Sequence, residues 1–298
     1  MTGHAPGPVT GARKPVGVDT SRPSISRVYD YSLGGKDHYP ADRAAFEQIQ
    51  RVAPRQGDVS RMNRRWQQRA VRYMAGVGRI TQFLDIGAGL PVFANQNTHE
   101  IAELESPGVE VVYIDNDPVC GAHGRVMLER NERTHYLDGD LLEKNTLLEN
   151  KGVLQHIDMT RPLGLLICGL LHHVEDRLDP VGVMREYIDR APEGSYIAIT
   201  NFWDPADEDP EPHDLAVRLE HAHVEMGLGS GWYRTREQLA EYFKGLEILE
   251  PGLVQLEDWW PAGPPTRPRL PEERLMLGGV GYKRPPIRRL LSPVEDDE

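Results

Sequence analysis

From about residue 80 onward, short apolar runs alternate with stretches of helical periodicity. This alternation restricts the fold more than any other feature, because strand and helix units in succession are typical of a mostly parallel sheet with helices on both faces. The run 163–171 is apolar throughout, as expected of a strand buried on both sides. Five strands are predicted, at 82–86, 109–115, 135–137, 163–168 and 196–202. The sequence therefore predicts a doubly wound α/β domain.

The C-terminal third departs from this alternation. The stretch 204–214 is acidic and broken by prolines, and we interpret it as a surface loop or as part of a lid on the substrate side. Two helices are predicted after it, at 215–226 and 236–243. The last two apolar segments, 246–260 and 275–283, have no helix between them. Because a parallel connection needs a crossover, we expect these segments to pair antiparallel, with the last strand entering the otherwise parallel sheet.

The N-terminal quarter has a different composition. Residues 1–22 are rich in Pro and Gly and almost without large apolar side chains, which is typical of a disordered leader. Residues 23–78 are predicted to form a helical arm or cap, and residues 79–283 the α/β domain. Residues 284–298 are interpreted as a tail. The helices of the arm are expected at 24–33, 41–52 and 59–75.

Charge and composition exclude several classes of protein. The chain of 298 residues carries 34 basic and 46 acidic side chains, a net charge of −12, which argues against a nucleic acid as the main partner. No run reaches the ~20 apolar residues of a membrane span. The N-terminus lacks the apolar core of a secretory signal. Cys120 and Cys168 lie far apart without metal-binding spacing, and His221 and His223 face different ways on a helix. We therefore expect a cytoplasmic protein without disulfides, membrane segments or a metal site.

In doubly wound sheets, ligands bind beyond the carboxyl ends of the strands. After the first strand, Gly87 and Gly89 permit a tight turn and a close approach of the backbone to a ligand. The dinucleotide-binding pattern GxGxxG would need a third glycine where this chain has Val92. Asp115 ends the second strand, where a carboxylate can accept hydrogen bonds from both hydroxyls of a ribose. It could instead cap the next helix, although Asp117 is better placed for that.

The third and fourth strands add further candidates. Asp140 could accept a hydrogen bond from an adenine amino group while Leu141 packs against the ring. The fourth strand leads through Gly169 to His172, which is either part of the site or a structural histidine. When a glycine loop, two aspartates and a histidine-bearing loop follow one another in this order, they indicate such a ligand site much more specifically than any one of them does alone.

Several segments of the chain match those of one class of enzyme. They are 27–37, 63–64, 83–91, 97–100, 112–118, 171–172, 194–196 and 250–252, and together they span roughly residues 22–283. On these segments the chain resembles the class I S-adenosylmethionine-dependent methyltransferases, and in particular a bacterial family of S-adenosyl methyltransferases of unassigned substrate. It departs from that family at 93–96, where a slightly different polar run is expected, and at His173, where an aromatic residue is often found.

The resemblance implies a seven-stranded sheet whose last strand is antiparallel, and it implies S-adenosylmethionine as the cofactor. The cofactor contacts that it implies come from Asp85, Gly87, Gly89, Asp115, Asp140 and Leu141. Neighbouring residues complete the predicted cofactor site: Ile86, Leu90, Asn116, Gly169, His172 and Lys36. We also expect the N-terminal arm, with Tyr29, Gly34, Gly35 and Lys36, to fold over the carboxyl edge of the sheet and close the site.

The activity that follows is methyl transfer by in-line displacement. The acidic chain favours a small-molecule acceptor over a nucleic acid, and the sequence indicates neither that acceptor nor an oligomeric state. If the acceptor must lose a proton, His172, Tyr29 and Tyr31 are the candidates for the base. Two alternatives remain open at this point. One is a non-catalytic protein that binds S-adenosylmethionine as a sensor or interaction module. The other is an NAD-dependent oxidoreductase, which the valine at position 92 disfavours.

Overall fold

The computed structural model describes residues 18–92, 96–143, 146–228, 230–261, 263–264 and 267–286, and an eight-stranded sheet forms the centre of this part of the chain. Its strands are β1 (Gln82–Ile86), β2 (Glu110–Asp115), β3 (Thr134–Asp138), β4 (Gly164–Cys168), β5 (Tyr196–Phe202), β6 (Glu247–Ile248), β7 (Val254–Gln255) and β8 (Met276–Tyr282). The five strands predicted between residues 82 and 202 are all present, with bounds that differ by at most one residue.

The order of the strands is β3-β2-β1-β4-β5-β8-β6, and β7 also pairs with β8. Strands β1 to β5 pair in parallel. Strand β8 enters between β5 and β6 and is antiparallel to β5, β6 and β7. The predicted mostly parallel sheet with an antiparallel last strand is therefore confirmed. The sheet has eight strands instead of the seven that the resemblance implies, because the segment before β8 pairs with β8 in two separate strands, β6 and β7, of two residues each.

Eight α-helices surround the sheet in the described part of the chain: α1 (Ile25–Leu33), α2 (Pro40–Val52), α3 (Gln56–Gly76), α4 (Thr98–Glu105), α5 (Pro118–Met127), α6 (Pro180–Arg190), α7 (Pro210–Glu225) and α8 (Arg236–Ala240). Asp117 caps α5, because its side chain accepts a hydrogen bond from the Val119 amide. None of the helices in the described ranges is both long and apolar enough to cross a bilayer.

The prediction of a loop at 204–214 is wrong for its second half, because α7 begins at Pro210. Pro210 and Pro212 both lie in the first turn of that helix, where the backbone amides have no partner within the helix. Proline therefore costs no hydrogen bond there. Counting prolines as helix breakers overlooked this position effect.

The long helix α3 packs directly on the sheet. Trp66 and Met74 of α3 are buried in one hydrophobic cluster with Phe83 of β1 and Val280 of β8. At Gly278 the fit is so close that a Cβ atom would lie 2.6 Å from the indole of Trp66. The opposite face of the sheet is covered by a second cluster, which includes Leu84, Val112, Leu165, Tyr187 and Ile197.

Helices α1 and α2 are joined by a buried ion pair between Arg27 and Asp42, 2.9 Å apart. The other contacts of Asp42 come from the backbone amides of Ser24 and Tyr39, so one carboxylate orders the starts of both helices. A third hydrophobic cluster connects α1 and α2 to α7. Most of the predicted leader and tail, residues 1–17 and 287–298, lies outside the described residues.

Candidate functional site

A cavity of about 280 Å³ lies beyond the carboxyl ends of β1 to β5, under α1, α2 and α3. Parallel strands bring these loops to one edge of the sheet, so residues that are far apart in sequence meet there. From α1 and α2, Ile25, Val28, Phe46 and Ile49 line the cavity. The predicted site residues that it brings together are Tyr29, Asp85, Ile86, Gly87, Gly89, Asp115, Asn116, Asp140, Leu141, Gly169 and His172.

The turn after β1 forms the floor of the cavity. Gly87 and Gly89 have φ angles of 70° and 69°, a left-handed conformation that favours glycine. The amides of Gly87 and Ala88 donate to the Ile114 carbonyl, at 2.8 and 3.0 Å. A Cβ atom at Gly87 would lie 2.8 Å from the side chain of Leu170. The turn after β1 is therefore in direct contact with the loop after β4.

Asp115 stands at the end of β2 and joins this turn. Its Oδ2 accepts a hydrogen bond from the Gly89 amide at 2.8 Å, and its Oδ1 accepts one from the Asp117 amide at 2.9 Å. Burial raises the pKa of the Asp115 carboxyl, and these two amides act against the rise. Each carboxylate oxygen has a further lone pair. Asp115 can therefore accept hydrogen bonds from a ligand while it holds the turn.

Asp140, after β3, lies beside Asp115 in the wall of the cavity. Its Oδ2 accepts a hydrogen bond from the Asn116 side chain at 2.9 Å, and its Oδ1 accepts one from the Leu142 amide at 2.9 Å. Leu141 is buried next to it and presents an apolar surface. This end of the cavity offers a carboxylate, an amide and an apolar face, which suits a purine base.

Asp85 is buried, and its position is fixed by two neighbours on one oxygen. Thr98 and Gln67 donate to its Oδ2, at 2.6 and 3.0 Å. Its Oδ1 has no hydrogen-bond partner among the described residues, and Asp85 lines the cavity. Burial raises the pKa of Asp85 to about 6, although both hydrogen bonds and the charge of Arg64 oppose the rise. A cationic ligand group would therefore find an unpaired carboxylate here.

Arg64 of α3 is the cation of the same region. Its Nη1 donates to Gln67 at 2.8 Å, while its Nε is buried and has no partner. No carboxylate in the described ranges forms an ion pair with it. Because a buried donor without a partner costs ~1–3 kcal/mol, a ligand anion is the expected partner.

At the other end of the cavity, away from Arg64 and the three aspartates, no Asp, Glu, Lys or Arg side chain lines the cavity among the described residues. Apolar groups come from Val28, Phe46, Ile49, Val174, Leu228 and Met276. Neutral polar groups come from Ser32, Ser60, His173 and His223. Cys168 lies within electrostatic range of Asp85 and Arg64, and burial raises the pKa of its thiol, which keeps it protonated. This end of the cavity therefore suits an uncharged and largely apolar molecule.

Two of the three predicted base candidates line the cavity, and their hydrogen bonds restrict what they can do. The Tyr29 hydroxyl donates to the Ser60 carbonyl and accepts from Asn63, each at 3.1 Å, and burial raises its pKa. His172 is 3% exposed and its ring stacks on Phe202 at 3.7 Å. Burial and the neighbouring His173 hold the pKa of His172 well below its usual range. The Tyr29 proton is engaged by Ser60 and the His172 ring is enclosed, so neither group is well placed to accept a proton from a ligand.

Three predicted site residues lie away from this cavity. Tyr31 packs edge-on against Phe46 and His38, and Lys36 is exposed to solvent. Leu90 lines a neighbouring cavity of about 640 Å³ with Gly34 and Gly35. Four arginines, Arg61, Arg64, Arg65 and Arg72, line that second cavity too. The segment 93–96, where the sequence departs from the family, lies outside the described residues except for Gln96.

One group of three possible metal ligands, Glu110, His135 and His156, occurs among the residues that the structure describes. It lies at the amino ends of β2 and β3, away from the cavity. The two imidazoles stack at 3.5 Å, and His135 bonds to Glu110 at 2.9 Å. The three side chains therefore contact one another directly in the structure.

The residues that the sequence interpretation missed come mainly from α3. Asn63 lines the cavity, where it bonds to Tyr29 and to Thr200 of β5. Arg64 and Gln67 lie on the same face of the helix, toward Asp85. The sequence signal was present, since 63–64 is one of the segments of the family resemblance. It carried no site prediction because helical spacing alone also describes ordinary packing.

Comparison with known proteins agrees with this geometry. The sequence profile of a family described as S-adenosyl methyltransferase matches residues 11–284. A crystal structure from Thermobifida fusca YX, provisionally described as a methyltransferase, is 36% identical, has a TM-score of 0.82, and covers 91% of this chain and 98% of that one. A DUF574 family protein from Streptomyces avermitilis MA-4680 is 34% identical, has a TM-score of 0.81, and covers 90% and 99%. A search of curated proteins found no match.

Proposed function

We propose that this chain, which belongs to the S-adenosyl methyltransferase family and takes its methyl group from S-adenosylmethionine, transfers that group to a small uncharged molecule. The observation that carries the proposal is a single cavity with a charged end beside β1 to β3 and an uncharged end between α1, α2 and α7. Membership of this family removes the oxidoreductase alternative.

The unpartnered groups at the charged end match S-adenosylmethionine in number and sign. Its methionine part carries one carboxylate and one ammonium group. Among the described residues, Arg64 has no carboxylate partner and a free Nε, and the Oδ1 of Asp85 has no hydrogen-bond partner. Its ribose would bond to Asp115, and its adenine would lie between Asp140 and Leu141. These roles follow from charge and hydrogen-bonding capacity.

The cofactor supplies an electrophilic methyl group on a sulfonium. The protein's part is to align the acceptor with that group and to exclude water, and orientation alone can contribute ~7–11 kcal/mol to catalysis. The uncharged end of the cavity continues directly from the glycine turn through Gly169 and Leu170. A molecule bound there would lie next to the methyl donor.

Two measurements test the proposal in sequence. Calorimetry with S-adenosylmethionine and with NAD should give binding for the first alone. Incubation with methyl-labelled S-adenosylmethionine and separated extract fractions should then place the label in the small-molecule fraction. Label in the protein or nucleic-acid fraction would contradict the acceptor class. Binding without label in any fraction would instead support a sensor.

A further inference from the structure

Three imidazoles, those of His172, His173 and His223, lie together at the uncharged end of the cavity. Burial lowers the pKa of each below its usual range, so all three are neutral near pH 7. A neutral imidazole carries one proton, and the hydrogen bond of one ring nitrogen decides whether the other can accept a proton. The partners of the three rings therefore distinguish a base from a donor.

For His173 the partner is Ser230. Its Nδ1 lies 2.8 Å from the Ser230 hydroxyl, which itself donates to the Leu228 carbonyl at 3.2 Å. Because a serine has a single hydroxyl proton, both contacts are satisfied when His173 donates from Nδ1. Its Nε2 then carries the lone pair. The next residues hold this arrangement, since the amides of Gly231 and Trp232 donate to the His172 carbonyl.

The other two imidazoles are less suited to accept a proton. The Phe202 amide donates to Nδ1 of His172 at 3.4 Å, so the proton of that ring lies on Nε2. His223 donates from Nδ1 to the Leu219 carbonyl at 2.7 Å and keeps a lone pair on Nε2. Its ring, however, is 4% exposed and is covered by Gly231. The side chain of His173 is more exposed than those of His172 and His223, and it belongs to the loop that touches the glycine turn.

We propose, on the basis of the proposed function, that Nε2 of His173 accepts the proton of the methyl acceptor, and that the acceptor is an uncharged, largely apolar molecule with a phenolic or enolic hydroxyl. In the transfer, the acceptor oxygen forms a bond to the methyl carbon. The carbon–sulfur bond breaks with its electron pair remaining on sulfur, and the hydroxyl proton moves to His173.

The environment of His173 favours this class of acceptor. Burial, and then the nearby His223, lowers the pKa of His173, so the ring is a weak base that accepts a proton more readily from a phenolic or enolic hydroxyl than from the less acidic hydroxyl of an alcohol. Charge balance makes the transfer feasible in a buried site. The positive charge of the sulfonium disappears as His173 becomes positive, so the net charge of the cavity is the same before and after the step.

The tautomers can be read without any turnover. In the full chain with histidine labelled with ¹⁵N and with S-adenosylhomocysteine bound, we expect His173 to be protonated on Nδ1 and His172 on Nε2 at neutral pH. In Ser230→Ala the preference of His173 for Nδ1 should weaken, while that of His172 persists. A His173 ring protonated on Nε2 in the native chain would overturn the proposal.

The acceptor class is tested with three probes of one shape: 2-naphthol, 2-naphthoate and 2-methoxynaphthalene. Each is titrated into the complex with S-adenosylhomocysteine. We expect 2-naphthol to bind about tenfold more tightly than the other two, because it alone is uncharged and donates a hydrogen bond. In His173→Asn, whose amide can still donate to Ser230, that advantage should disappear. His221→Asn, an exposed position on α7, is the matched control and should keep it.

Cofactor binding and the role of His173 can be disproved separately. If the native chain does not bind S-adenosylhomocysteine, the proposed function fails. If it does bind, and naphthoate binds as tightly as naphthol or His173→Asn leaves the advantage of naphthol intact, the role of His173 is disproved and the methyltransferase assignment is unaffected.

Discussion

The two ends of the cavity are built in different ways. The charged end, which we propose binds the cofactor and call the cofactor end, consists of the turn after β1 and of carboxylates at the ends of β1 and β2 and after β3, and backbone amides hold Asp115 in place. At the uncharged end, which we propose binds the acceptor and call the acceptor end, side chains of α1, α2 and α7 meet the loop around Ser230. The first end depends on short segments of sequence, and the second on how distant helices pack. The cofactor end can therefore be read from motifs, whereas the acceptor end cannot.

The largest effect on cofactor affinity is expected when the Asp115 carboxylate is removed. Asp115→Ala should weaken binding of S-adenosylhomocysteine about 100-fold or more, because two charge-assisted hydrogen bonds to the ribose are lost. Calorimetry measures the change. Asp138→Ala is the matched control, since Asp138 ends the next strand, is largely exposed and bonds only to Arg125 among the described residues. Equal affinities for the two variants would contradict the ribose role.

Arg64 tests whether α3 belongs to the cofactor end. Arg64→Gln should weaken S-adenosylhomocysteine about 10- to 100-fold, the range expected for a lost charge-assisted hydrogen bond. Binding of methylthioadenosine, which lacks the methionine carboxylate, should change little. Arg65→Gln is the control, because Arg65 is exposed and paired with Glu257. A similar loss for both ligands would indicate disturbed packing instead of a carboxylate contact.

Asp85 gives the cofactor end a pH dependence. Burial raises the pKa of Asp85 to about 6, above its value in the unfolded chain. In the free protein, the contribution of Asp85 to the free energy of unfolding is therefore fully present below the unfolded pKa and is lost as the pH rises through about 6. A bound ammonium group favours the carboxylate, so affinity should rise about tenfold between pH 5 and pH 7. Calorimetry in buffers of different ionisation enthalpy would detect the released proton.

In Asp85→Asn this rise should become smaller. The remainder would come from Asp115, whose pKa burial also raises. An unchanged pH profile in Asp85→Asn would show that another group binds the ammonium.

The smallest effect is expected at the acceptor end. Phe46→Leu should leave the affinity for S-adenosylhomocysteine within about twofold, because Phe46 packs against α1 and α7 and lies away from the turn after β1. The free energy of unfolding should fall by about 1 kcal/mol, as for a modest change of volume in a core. Denaturant unfolding measures the change in stability, and calorimetry on the same sample measures the change in affinity. A large loss of cofactor affinity would mean that the ends are not independent.

The same contrast explains what could be predicted from the sequence. Buried parallel strands are continuous apolar runs, so β1 to β5 were located within one residue, and the fold rule then placed Asp85, Asp115 and Asp140 at one edge. The helix start at Pro210 was missed because proline has opposite meanings in the first turn and in the interior of a helix. The role of Ser230 beside His173 depends on a contact across 57 positions, which no local pattern reports.

The contact between Gly278 and Trp66 extends this dependence on packing to two residues that do not line the cavity. Any side chain at position 278 would displace the indole and, with it, the register of α3 against the sheet. Asn63, Arg64 and Gln67 would move as one unit. A substitution more than 200 positions downstream of these residues could therefore change which ligands the protein distinguishes while every ligand-contacting residue stays the same. Relatives that differ at this glycine should then be compared by their selectivity as well as by their melting temperature.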